Sequence, residues 1–145
     1  MIANQRQYRI TRAEADKFQV ALAHLDVVES HRSAPMRQIM RDAMESQIEE
    51  LREQLADYEA LRDGKIGVLE MEGLQELPTA LVRARIAVKV TQKELARRLG
   101  LKEQQIQRYE ATSYRGVSLG RIQEVADALG ITIREQVTLP STAND

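Results

Sequence analysis

The chain contains no cysteine and no tryptophan, and its four Tyr and one Phe make up only 3% of 145 residues. Without Cys there is no disulfide, no thiolate metal ligand and no Cys nucleophile, and a reducing compartment is the expected setting. So few aromatics leave the core to Leu, Ile, Val, Ala and Met. No stretch approaches the ~18 consecutive apolar residues of a membrane span. The opening "MIANQRQYRI" has no apolar run behind its charges, so no signal peptide is expected, and the expected location is cytoplasmic. His24 and His31 stand seven residues apart without a ligand cluster around them, which argues for solvated side chains rather than a metal site. There is no phosphate-cradling Gly loop and no nucleophile signature. The acidic pairs Glu49-Glu50 and Asp57-Glu59 read as a solvated helix face. No catalytic residue, metal or cofactor is therefore expected.

What is present suits a globular protein: 43% of residues are hydrophobic and 30% charged. The length fits one ordinary domain, or a small domain with a helical appendage. Net charge is −1, but its distribution is uneven. Residues 33–63 hold four Arg against eight acids, a net −4, whereas residues 81–121 hold ten basic residues against three acids, a net +7. An acidic rod joined to a basic module is the asymmetry expected when only one part faces a polyanion.

Helical periodicity dominates, and the expected fold class is mainly α. "TRAE" at 11–14 has the form of a capping box. It precedes an apolar stripe of Phe18, Ala21, Leu22, Leu25 and Val28, which predicts a helix over 11–30. Ser33 with Pro35 restarts a helix near 34 that runs to about Arg62, with "DG" at 63–64 as its stop. Its residues Met40, Met44, Ile48, Leu51, Leu55 and Tyr58 approach a heptad seam. That seam fits either a dimer or partner surface, or an internal face packed on the preceding helix. The short polar connection makes residues 1–63 an antiparallel helical hairpin. Residues 64–75 read as a linker carrying a short strand at 65–71, and the tail 132–145 follows a period-2 pattern over 131–139 that reads as a second strand. Between them, residues 76–131 read as a compact module of four or five helices.

Within that module, "TQKELARRLGLKEQQIQRYE" at 91–110 forms two helical patterns around Gly100. Thr91 and Glu94 make another capping box, Leu95 and Leu99 point inward, and Gly100 stops the first helix where positive φ costs little. A second helix runs from Lys102 to about Ala111, with Ile106 and Tyr109 on its buried side. The pair has the form of a helix-turn-helix. The outward face of the second helix carries Lys102, Glu103, Gln104, Gln107 and Arg108. These residue types suit double-stranded DNA, because an amide can pair bidentately with adenine and Arg with guanine in the major groove. Arg83, Arg85, Lys93, Arg97, Arg98 and Arg115 are candidates for phosphate contacts. In the segment that follows, Ser118 is a helix cap and Gly130 a stop.

Residues 77–131 resemble the phage-repressor or XRE-type helix-turn-helix family, through "LVRARIAVKVTQKELARRLGL", "QIQRYE" and "LGRIQEVADALGI". The resemblance implies a five-helix DNA-binding domain. It also implies that Gln92 contacts a phosphate, that Lys102, Glu103, Gln104 and Arg108 face bases or nearby backbone, and that Glu110 anchors an internal polar contact. Two departures stand out. Lys89 occupies a turn where the family often has Gly, so a side chain must be accepted there, in the left-handed region. "ATSYRG" lengthens the loop after Glu110, leaving Tyr114 between core and backbone contact and Arg115 as a phosphate contact. The whole layout is similar to that of HigA-type antitoxins. That likeness implies a transcriptional regulator that represses its own promoter as a homodimer on a pseudopalindromic operator and holds a toxin protein inactive. The alternatives are a phage-type or free-standing repressor without a toxin, and a protein–protein interaction module acting through the rod.

Overall fold

The computed structural model describes residues 1–141. Seven α-helices form among them, and no strand. The first, α1 (Gln5–Ala23), begins six residues before the expected cap at Thr11, which lies inside it. Asn4, in extended conformation, accepts the Gln7 backbone N–H at 2.9 Å, and the Gln7 side chain accepts the Ala3 N–H at 2.8 Å. Side-chain oxygens at this end thus satisfy amides that the helix itself leaves without partners. A single turn, α2 (Leu25–Val28), follows. Ser33 then caps α3 (Ala34–Arg62), which has Pro35 in its first turn and ends at Asp63 before Gly64, with φ 74°, as expected for this helix.

Helices α1 and α3 pack as an antiparallel hairpin. Tyr8 stacks on Tyr58 with ring centroids 5.1 Å apart, and the Arg62 guanidinium lies over the Tyr8 ring at 5.2 Å. Of the α3 seam, Ile48, Leu51 and Tyr58 are buried within the chain, and Met40, Met44 and Leu55 are half-buried. Within one chain the seam thus packs as its internal reading expects. Offering Ile48, Leu51 and Tyr58 to a second copy would require opening the hairpin, at about 1.5–3 kcal/mol for each large apolar side chain exposed.

The two expected strands do not form. In 65–71, Ile66, Leu69 and Met71 are half-buried against the core, while Val68 is exposed. In 131–139 only Ile131 packs inward, and Val137 and Leu139 are exposed. Both segments line one groove over the helix that follows the linker, with Ile66, Leu69, Ile131 and Ile133 among its walls. Ile66, Leu69, Met71 and Ile131 pack against the core, and no ladder joins the two segments. Residues 142–145 of the expected tail lie outside the described residues.

A 3₁₀ turn (Leu74–Glu76) leads into α4 (Leu77–Ala87), α5 (Gln92–Leu99), α6 (Glu103–Ala111) and α7 (Leu119–Leu129). The module thus has four α-helices and a 3₁₀ turn among the described residues, where the family resemblance implied five helices. Leu81, Leu95, Ile106 and Val125 are fully buried at its centre. The same apolar cluster continues through Leu77 and Val82 to Ile2, Tyr8, Tyr58 and Leu61 of the hairpin. One core therefore runs through both parts and holds the base of the hairpin against α4.

Candidate nucleic-acid interface

The turn between α5 and α6 is set by local chemistry. Thr91 accepts the Glu94 backbone N–H at 3.0 Å, and Gly100 adopts φ 67° at the end of α5. The Glu94 carboxylate does not reach back to complete a capping box; it takes Arg97 at 2.6 and 2.9 Å and Arg98 at 3.1 Å. Those guanidinium hydrogen bonds hold its pKa down to about 2. At the start of α6 the Lys102 backbone N–H donates to the Gln105 side chain at 3.0 Å, which commits Gln105 to capping. With Ile106 completely buried beneath, the helix turns Lys102, Glu103, Gln104, Gln107 and Arg108 to solvent. The five expected base-reading residues are all exposed, four of them on α6 and Lys102 at its cap.

Behind that face lies a closed polar network. Arg85 of α4 pairs with Glu110 of α6 at 2.5 Å, each side chain only 4% exposed. Its remaining donors reach the Val90 carbonyl at 2.9 Å and the Ala3 carbonyl. Arg85 is thus no phosphate contact: its guanidinium is enclosed by acceptors, as a buried charge requires. Glu110 is the internal anchor expected of it. Gln92, expected to meet a phosphate, is 7% exposed; its amide donates to Glu110 at 2.9 Å and accepts from Asn4 at 3.1 Å. Asn4, which holds Gln92 from outside the motif, is not among the candidate site residues that the sequence suggests. Asn at position 4 with Gln three residues later is itself a helix-start pattern, and would have placed the first cap correctly.

The cations of the basic segment divide into two groups. Arg83 is tied to Asp57 of α3 at 2.6 Å, and Arg121 to Glu124 at 2.8 Å. Arg97 and Arg98 share Glu94, and Arg98 also donates to the Ala128 carbonyl near the end of α7 at 2.8 Å. Among the described residues, Lys89, Lys93, Lys102, Arg108 and Arg115 make no ion pair and are exposed. These carry the net positive charge open to a partner.

Lys89 does occupy the left-handed region, at φ 61°. The loop after α6 places Ser113 and Tyr114 there in succession, at φ 53° and 54°, with Gly116 at φ 75°. Left-handed backbone costs a residue with a Cβ roughly 1–2 kcal/mol. Burial of the Tyr114 ring, 5.6 Å from that of Tyr109, offsets it. Tyr114 belongs to the core cluster, and its burial, and then the Glu110 charge, raise its pKa. Arg115 next to it is left exposed on the loop.

A recognised domain matches this part of the chain. Residues 81–136, fewer than half of the whole, fit the family model described as helix-turn-helix. The segment carries a helix-turn-helix domain, and the match supports a DNA-binding transcription regulator. Comparison with curated proteins and with solved structures gives no significant match. Among the described residues no helix is long and apolar enough to cross a membrane.

Proposed function

We propose that the protein binds duplex DNA sequence-specifically, with α6 lying in the major groove and Lys102, Glu103, Gln104, Gln107 and Arg108 facing base edges. One observation carries this reading: the outward face of the second motif helix is polar and exposed, over a fully buried Ile106. An α-helix fits that groove, and its first residues reach deepest, which gives Gln104 and its neighbours the reading positions. Lys93 and Arg115 supply phosphate contacts. Arg97 and Arg98 add to them only by sharing their guanidinium groups with Glu94. A single module reads few base pairs, so binding is as a homodimer on two half-sites about one DNA turn apart.

The finer reading is an autorepressor of the antitoxin kind, acting on its own promoter and holding a toxin protein. Its support is the layout, together with Val27, Val28, Met36 and Ile39, which lie exposed at the end of the hairpin distant from α6. A mobility-shift titration with the DNA upstream of its own coding sequence tests the first reading. Binding no tighter than to a scrambled duplex overturns it. Co-expression with adjacent small coding sequences tests the second: growth arrest relieved by this chain is expected, and no relieved arrest removes the antitoxin role.

A further inference from the structure

We infer that the start of α1, outside the helix-turn-helix, belongs to the DNA interface, with Arg6 as its phosphate contact. The inference rests on the reading of α6 as the groove helix. Three observations lead to it. First, Arg6, Gln7 and Ile10 of α1 form one wall of an open cleft of about 700 Å³, whose other wall includes Gln92, Gln107 and Ser113. Gln107 belongs to the outward face of α6, so the cleft opens beside that face. Second, α1 is fixed in place there. Asn4 donates to Gln92, the first residue of α5, Arg85 donates to the Ala3 carbonyl, and Ile2 is buried. Third, the docked end of α1 is basic: residues 1–12 include Arg6, Arg9 and Arg12 and no acid. Arg12 leans on the Tyr8 hydroxyl at 3.3 Å, whereas Arg6 is exposed and makes no ion pair among the described residues. A duplex seated on α6 carries closely spaced phosphates past its flanks, and the Arg6 guanidinium, carried on that anchored helix end, meets them there. Asn4 is a positioning residue in this arrangement, holding α1 and Gln92 in register.

The test is the salt dependence of binding by the full chain, compared across single variants. Arg6→Ala is expected to flatten the slope of log affinity against log salt by about one unit per bound protomer, equally on cognate and scrambled duplexes. Arg6→Lys is expected to restore it. Lys17→Ala, on the same face of α1 but about 16 Å further along, keeps the parent slope. An Arg6→Ala slope equal to the parent's, or tighter binding by that variant, overturns the inference while leaving the groove role of α6 intact. A parent chain that prefers no duplex sequence overturns the reading of α6 instead.

Discussion

Arg85 and Glu110 face each other from α4 and α6 as an ion pair closed to water, and the Glu110 carboxylate also receives the amide of Gln92 from α5. One carboxylate thus holds three helices at the angle that exposes the outer face of α6. The Arg85 guanidinium extends the tie to the backbone of Ala3 and Val90. Such a pair contributes little net stability, because desolvation opposes its attraction. What it provides is geometry: its hydrogen bonds join α4, α5, α6 and the segment before α1.

Breaking that pair from one side should be severe. Glu110→Ala leaves the Arg85 charge buried without its partner and is expected to cost about 3–5 kcal/mol. Replacing both residues with apolar side chains of similar volume should recover most of the loss. Urea denaturation of the two variants measures this directly. A single variant within about 0.5 kcal/mol of the parent, the range of ordinary surface substitutions, would show that the pair opens freely to water.

On the outer face of α6, Gln104→Ala is expected to weaken binding to the cognate site by ~1–3 kcal/mol and to leave random DNA little affected. Arg115→Ala should behave in the opposite way, weakening all sequences alike and reducing the salt slope by about one unit. Fluorescence titrations on cognate and scrambled duplexes over a range of salt separate the two roles. Equal losses on both sequences would remove Gln104 from the reading face.

Much of this was legible in the sequence because local chemistry sets it. Ser33, Thr91 and Ser118 each accept an amide three residues on, and Gly100 and Gly130 take the left-handed turns their positions imply. The exposed face of α6 follows from spacing around Ile106. What was not legible depends on long-range contacts. Charge alone made Arg85 resemble Arg115, yet one is sealed behind α6 and the other lies open on a loop. The period-2 patterns at 65–71 and 131–139 suggested strands, but a strand also needs a partner edge, and none is supplied among the described residues. The contact between Asn4 and Gln92 joins residues 88 positions apart, beyond the reach of any periodicity.

The Glu94 carboxylate should titrate far below its ordinary value of 4.5, near 2, because Arg97 and then Arg98 hydrogen-bond its charged form. A depressed folded-state pKa adds stability above the unfolded value, and that contribution fades as pH falls from about 4.5 towards 2. Titration of the Glu94 side-chain carbon by NMR should show this. Arg97→Ala should move the midpoint upward, and Arg98→Ala should do so by less. A midpoint near 4.5 in the parent would mean that both guanidinium groups are released in solution and available to phosphates.

The hairpin provides the last test, since its seam was open to two readings. With Leu51 only 5% exposed within one chain, Leu51→Ala is expected to cost about 2–5 kcal/mol as a core truncation. That loss should not depend on protein concentration, because the contacts removed lie between α1 and α3 of the same molecule. A seam shared between two copies would behave differently: association would stabilise it by mass action, and its melting temperature would rise with concentration. Thermal melts of the parent and of Leu51→Ala over a hundredfold range of concentration distinguish these cases. A concentration-dependent difference between the two proteins would place Leu51 between protomers, and the α1–α3 packing would have to open to allow it.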